Sequence, residues 1–220
     1  KNDMSDEEYM SNFKAGQQNR QGGIHNALAK SVLSPTQITH LIDHGNEGSM
    51  HDIANRKDLS DIHIQQLANT SNMIVHHHLL SNTKLTDDNF NTIVKKAHPE
   101  NVPKIIGHAK FNETHIDNVL NKKISKADLT PILHRFPDKL EPHHISAIID
   151  KGDNDTHRIL VNRLHNKLNS THISSLIDTK RADIHEKLLN LIPNKLEPHH
   201  IQALMDKGDE TTHAELINNV

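Results

Sequence analysis

A fourteen-residue segment recurs along this chain and restricts what the chain can fold into. LEPHHISAIIDKGD occupies Leu140–Asp153, and LEPHHIQALMDKGD occupies Leu196–Asp209. A weaker copy, LNSTHISSLIDTKR, lies between them at Leu168–Arg181. In this register the chain divides into eight copies of one unit. Self-similarity at a period of about 20–50 residues is the signature of a tandem-repeat protein.

Each unit begins at an apolar residue and predicts two helices, A and B. The sixth, ninth and tenth positions are apolar in nearly every copy, which is the i, i+3, i+4 pattern of one helix face. Helix A is therefore expected over about positions two to twelve, and a shorter helix B follows a polar loop. The unit starts, spaced 26–29 residues apart, are Met4, Leu33, Leu59, Leu85, Phe111, Leu140, Leu168 and Leu196.

The ends of both helices carry recognisable signals. The second position, Ser34 or Thr86 for example, suits an N-cap, and three copies follow it with proline. Glycine after helix A, as at Gly152, suits a C′ position. For helix B, the expected caps in the last three units are Asp155, Asp183 and Thr211.

We therefore expect an all-α fold, a right-handed α-solenoid of about eight helical-hairpin repeats of 26–29 residues. Residues 1–32 are expected to form a degenerate N-terminal capping repeat, because Asn12 takes an apolar position and a Gln/Asn/Gly-rich loop, Gly16–Gly23, follows. Residues 33–220 are expected to form seven tandem repeats within one continuous domain. Aromatic residues make up only 2% of the chain, which suits thin Leu/Ile/Val layers. In the third and fourth full copies, three prolines predict a kink, or a 3-10 turn in place of helix B: Pro99, Pro103 and Pro131.

The unit L-x-P-x-x-I-x-x-L-I-D-x-G, followed by a capped short helix, resembles α-solenoid families. The variant leucine-rich repeat, a relative of HEAT and armadillo repeats, is closest in length. This resemblance implies a binding scaffold. The segment Leu33–Ile38 is also similar to the opening of TAL-effector-like DNA-binding repeats, L-T-P-x-Q-V. That second resemblance implies DNA contacts through the inter-helix loops, with Lys151 and Lys207 facing the groove, although the acidic loop residues Asp153 and Asp209 would repel phosphate.

Composition narrows the possible partners and compartment. The 25 basic and 28 acidic side chains are interspersed, so no long-range field favours nucleic acid or an anionic membrane. The chain has no cysteine, which excludes disulfides and thiolate metal sites and is compatible with the cytosol. We see no signal peptide and no apolar run of about 18 residues. The expectation is a cytoplasmic protein, or one delivered into another cell's cytosol. The first residue is Lys1, which leaves open that the chain is a piece of a longer protein.

The 21 histidines form two columns in the repeat register. The first column stands at N3 of helix A, where an imidazole can accept from the N-cap N–H or bond the preceding repeat. Equivalent residues of stacked helices lie about 8–10 Å apart. A zinc ion needs each ligand nitrogen about 2.0–2.1 Å from it, so the histidines of one column cannot share an ion. A structural role is therefore expected, with no metal site and no cofactor. The first column is His63, His115, His144, His172 and His200, and the second is His51, His77, His157, His185 and His213.

No catalytic motif stands out in the sequence. We find no P-loop, nucleophile elbow, HExxH or dinucleotide fingerprint, and no general base pairs with the aspartate that recurs at the end of helix A, such as Asp150. The predicted function is a non-catalytic scaffold that binds a protein or peptide. The alternative is nucleic-acid binding, and no membrane or small-molecule substrate is expected. The candidate partner-binding residues are His51, His77, His157, His185, His213, Lys151, Asp153, Lys207 and Asp209.

Overall fold

A computed structural model describes residues 3–18 and 22–219 of the chain. Within those ranges the protein is all-helical, which confirms the predicted class, and the β-structure is limited to one isolated parallel bridge between Ala127 and Gly152. The chain separates into two compact units, Lys1–Lys110 and Phe111–Val220. None of the helices described is long and apolar enough to cross a membrane.

The described part of the first unit contains four helix pairs, in which odd-numbered helices are helix A and even-numbered helices are helix B. Neighbouring A helices pack on one another, as do neighbouring B helices, so the unit has two helical layers. Proline begins a 3-10 turn at Pro99–Asn101, but the turn precedes a short α-helical helix B and does not replace it, so that alternative of the prediction is wrong. The helices are α1 (Asp6–Gln18), α2 (Gly22–Ala29), α3 (Pro35–His44), α4 (Glu47–Ala54), α5 (Asp61–Ala68), α6 (Met73–Leu79), α7 (Asp87–Lys96) and α8 (Val102–Gly107).

The second unit repeats this arrangement with longer B helices toward its C-terminal end. Its first helices are the shortest, and four 3-10 turns join the elements. The α-helices are α9 (Ile116–Leu120), α10 (Thr130–Arg135), α11 (Pro142–Lys151), α12 (Asn154–Leu164), α13 (Ser170–Ile177), α14 (Ala182–Leu191), α15 (Pro198–Lys207) and α16 (Glu210–Asn219).

The predicted apolar face of helix A is buried in most copies, although Met205 in the last copy is 55% exposed. In α11, for example, Ile145, Ile148 and Ile149 all lie in the core. The predicted N-caps are also confirmed: the Ser34 hydroxyl accepts from the Gln37 N–H at 3.3 Å. Local periodicity and capping chemistry thus place helix A correctly. Of the predicted capping repeat, residues 1, 2 and 19–21 lie outside the described ranges.

Glycine follows helix A for a reason other than the expected one. Gly152 has φ −72°, an ordinary extended conformation, so a left-handed C′ turn is not formed there. Instead, a Cβ atom on Gly152 would come within 2.6 Å of both the Ile148 carbonyl oxygen and the Thr156 methyl group. Gly208 is equally crowded by Leu204. In these two hairpins the close approach of helices A and B therefore leaves no room for a side chain at this position.

The predicted caps of helix B are displaced by two residues. In α12 the cap is Asp153, whose carboxylate accepts from the Thr156 N–H at 2.8 Å, while Asp155 lies in the first turn. In the last hairpin the Asp209 carboxylate accepts from the Thr212 N–H at 2.9 Å. The inter-helix loop is shorter than the sequence suggested, since the cap follows Gly152 directly in the chain.

Candidate functional site: histidine columns, an acidic groove and a carboxylate–histidine cluster

The first histidine column caps helix A, as predicted. In each copy Nδ1 of the ring accepts from the N-cap backbone N–H, which satisfies one of the orphan groups at a helix start. A neutral imidazole with Nδ1 accepting carries its proton on Nε2. The pairs are Ser60–His63 at 3.3 Å, Asn112–His115 at 3.0 Å, Glu141–His144 at 3.0 Å, Asn169–His172 at 3.2 Å and Glu197–His200 at 3.0 Å.

The Nε2 atom of the same rings reaches the preceding repeat. His172 Nε2 lies 3.0 Å from the Pro142 carbonyl oxygen, and His200 Nε2 lies 3.0 Å from the Ser170 carbonyl oxygen. Gln37 performs both tasks in its own repeat: its Oε1 accepts from the Ser34 N–H at 3.1 Å, and its Nε2 donates to Met4 O at 2.9 Å. The column is therefore a set of hydrogen-bonded links between helices, which an amide can replace.

Burial adds to the preference of His172 for the neutral ring. His172 is almost fully buried. Desolvation lowers the pKa of His172 below its ordinary value, and the hydrogen bond to the Pro142 carbonyl opposes that shift in part.

The second histidine column links the two helices of one hairpin, and its register differs from the predicted one. His157 Nε2 lies 2.8 Å from the Ile149 carbonyl oxygen, which belongs to the last turn of the preceding A helix. His157 is the fourth residue after the N-cap of its B helix. In the third copy that position is occupied by His76 and not by His77, and in the second copy by Met50 and not by His51. The remaining pairs, all within 3.1 Å, are His76 with Ala68, His185 with Ile177 and His213 with Met205.

The five histidines proposed to bind a partner therefore differ in their surroundings. His157 and His185 are buried, with exposed fractions of 8% and 1%. His213 is exposed but bonds the Met205 carbonyl. His51 is half-buried, 3.7 Å from Glu47, and His77 stands edge-on to the ring of His78.

Lysine side chains also join adjacent repeats. Lys151 Nζ donates to the Lys122 carbonyl at 3.2 Å, and Lys207 Nζ forms an ion pair with Asp178. Further lysines that directly precede a repeat start bind backbone carbonyls near the previous start, as Lys195 does with Leu168 at 3.3 Å. The two lysines predicted to face DNA are thus bonded within the chain.

The inter-helix loops of the second unit line an open groove of about 630 Å³. Asp153 and His157, both predicted partner-binding residues, form part of its wall. Its lining carboxylates outnumber its one lysine, Lys126, four to one. The carboxylates are Asp150, Asp153, Asp155 and Asp178.

Sequence reasoning missed a cluster of Asp117, His143 and His144. Oδ1 of Asp117 lies 3.1 Å from His143 Nε2 and 3.0 Å from His144 Nε2. The hydrogen bond to His143, more than that to His144, holds the pKa of Asp117 below its usual range. The cluster joins the seventh position of one repeat to the fourth and fifth of the next. The sequence contained one signal for this cluster. Asp117 occupies the seventh position of its repeat, where three other copies have a hydroxyl side chain: Thr39, Ser146 and Ser174.

Comparisons with protein-family models, with curated proteins and with solved structures found no match to this chain. They leave the resemblance to α-solenoid repeats neither supported nor opposed.

Proposed function

We propose that this chain is a non-catalytic helical-repeat scaffold that binds a protein or peptide partner along its inter-helix loops. The architecture we propose for it is a right-handed α-solenoid of about eight repeats, since adjacent A helices and adjacent B helices pack layer on layer within each unit. The observation that carries the functional proposal is the acidic groove, where loops from successive repeats lie side by side.

The groove favours a partner with basic side chains. The Asp150 side chain is 80% exposed, and its contact with Lys151 Nζ is long, at 4.0 Å, whereas Asp178 is paired with Lys207 and Asp155 lies 3.2 Å from Arg158. Asp150 is therefore the carboxylate most open to a partner's lysine or arginine. Charge complementarity of this kind selects partners and speeds association more than it adds affinity.

The same charges oppose the nucleic-acid alternative. Phosphate binding depends on lysine and arginine that neutralise the backbone charge. Lys151 and Lys207, the residues predicted to face DNA, instead hold neighbouring repeats together. A phosphate approaching the groove would meet Asp150 and Asp155.

Anisotropy titrations with three fluorescent probes test the proposal. Two short peptides of matched composition carry either four lysines or four glutamates, and the third probe is a random DNA duplex. We expect measurable binding of the lysine peptide only, weakening as salt rises from about 50 to about 200 mM. The double variant Asp150→Asn/Asp155→Asn should lose that preference.

A charge-matched control separates the groove from general acidity. The variant Asp43→Asn/Asp61→Asn removes two exposed carboxylates that do not line the groove. It should bind the lysine peptide as the unmodified protein does. Equal binding of both peptides, or tighter binding of the duplex than of the lysine peptide, contradicts the proposal.

A further inference from the structure

We infer that Asp117 and His143 are the two protein ligands of a binding site for a divalent transition metal such as Zn²⁺, supported by Glu141 and His144. This inference is independent of the proposed peptide groove, since neither ligand lines it. The site lies between the A helices of adjacent repeats, and both ligands are accessible, with side chains about 60% exposed.

The separation of the donor atoms suits a shared ion. Asp117 Oδ1 and His143 Nε2 lie 3.1 Å apart. Two donors at zinc's bond lengths of about 2.0–2.2 Å stand roughly 3.0–3.5 Å apart in tetrahedral or octahedral geometry. One ion can therefore replace the hydrogen bond between them with little movement of either side chain. Imidazole with carboxylate is a common ligand pairing for zinc.

Glu141 prepares His143 for this role. Its Oε2 atom lies 3.5 Å from His143 Nδ1, so when an ion replaces the proton on Nε2, the remaining ring proton on Nδ1 faces a carboxylate that can accept it. The lone pair of Nε2 is then directed at the ion. A carboxylate behind a ligating histidine fixes its tautomer and raises its basicity, which is the usual supporting arrangement at metal sites.

His144 supports the site without ligating. Its Nδ1 accepts from the Glu141 N–H at 3.0 Å, which places its proton on Nε2. That Nε2–H donates to Asp117 at 3.0 Å and orients the carboxylate, as hydrogen bonds to ligating carboxylates commonly do. Ligation through Nε2 would move the proton to Nδ1 and break the helix cap. The remaining coordination positions therefore fall to water.

The chain contains a matched pair that lacks the carboxylate. His199 and His200 stack with ring centroids 3.9 Å apart at 44°, the same values as for His143 and His144. Glu197 lies behind His199 as Glu141 does behind His143. The position equivalent to Asp117 is Ser174, whose hydroxyl lies 3.1 Å from His200 Nε2. This pair separates the contribution of the carboxylate from that of paired histidines.

Zinc titration of the untagged chain against a chromophoric chelator tests the inference. Asp117→Ser and His143→Gln should each weaken the tightest Zn²⁺ site at least about tenfold. His199→Gln and the double variant His77→Gln/His78→Gln, which alters a separate histidine cluster, should leave that site unchanged. Asp117→Ser places the hydroxyl found in other copies, and urea unfolding without metal verifies that each variant folds.

A gain-of-site variant provides the second arm. Ser174→Asp should create a second Zn²⁺ equivalent beside His199. Unchanged zinc affinity in folded Asp117→Ser and His143→Gln overturns the inference, as does a folded Ser174→Asp variant that gains no second equivalent.

Discussion

His172 Nε2 lies 3.0 Å from the carbonyl oxygen of Pro142, thirty residues earlier in the chain. The other nitrogen of the same ring caps its own helix, 3.2 Å from the Asn169 N–H. One buried side chain thus satisfies two backbone groups that belong to successive repeats. In the solenoid that we propose, such links matter because each repeat would have only its neighbours to pack against.

Replacing His172 tests the value of this double link. His172→Ala leaves the Asn169 N–H without its side-chain acceptor and removes one donor from the Pro142 carbonyl, so we expect a loss of about 1–3 kcal/mol in the free energy of unfolding. His172→Gln should lose much less, because Gln37 makes the equivalent bonds in its own repeat. Urea unfolding measures both, with exposed His199→Ala as the control. An equal loss in the glutamine and alanine variants would show that the ring acts through packing.

The lowered pKa of His172 predicts acid sensitivity. Because the folded pKa lies below the ordinary value of 6.5, the unfolded chain binds more protons between those two values. The contribution of His172 to stability is complete above pH 6.5 and is lost as the pH falls below it. Unfolding free energies at about pH 7.5 and about pH 5.5 should differ less in His172→Gln than in the unmodified protein. An identical pH dependence in both proteins would contradict this assignment.

Gly152→Ala should destabilise the second unit. The added methyl group would lie 2.6 Å from the Ile148 carbonyl oxygen, which cannot move without distorting helix α11. We expect a loss of about 1–3 kcal/mol. Gly107→Ala is the matched control, because a Cβ there meets nothing within 4 Å and alanine is the better helix former. Thermal unfolding compares the two, and a neutral Gly152→Ala would show that the hairpin can open at no cost.

Tyr9 provides an optical test of burial at the N-terminal end. Burial raises its pKa from 10.0 to about 12, and its hydroxyl lies 2.9 Å from His40 Nδ1. The folded state favours the neutral phenol, so this contribution to stability is complete below pH 10 and is lost as the pH rises toward 12.

Absorbance reports this ionisation without interference, because the chain has one tyrosine and no tryptophan. The phenolate band should appear near pH 12 in the folded protein and near pH 10 in urea. A folded-state midpoint near pH 10 would mean that the Tyr9 hydroxyl is open to solvent.

Local sequence features predict both the buried face and the capping of helix A. The buried face of α11 follows from Ile145, Ile148 and Ile149, since helical periodicity places them together. The capping role of His144 and His172 follows from their place three residues after the N-cap, within one turn of helix. These interactions span only a few residues, so spacing alone defines them.

Other assignments depended on how neighbouring repeats meet. Spacing did not reveal that His76, rather than His77, turns toward helix α5, because the loop before helix B differs in length between copies. Nor did it show that Lys151 reaches Lys122 O, or that Asp117 meets His143, because each pair comes from two repeats. Residues at different positions of two repeats become neighbours only when the helices of those repeats pack against each other.

The sequence by itself determined the repeating unit, the helical class, the buried faces and the capping of helix A. Helical periodicity and end capping are short-range effects, so they are present in every copy. Only the tertiary structure decided which histidines link helices within a hairpin, which carboxylates line the groove and which pair could hold a metal ion. Those outcomes depend on distances between atoms of different repeats, which are set by packing.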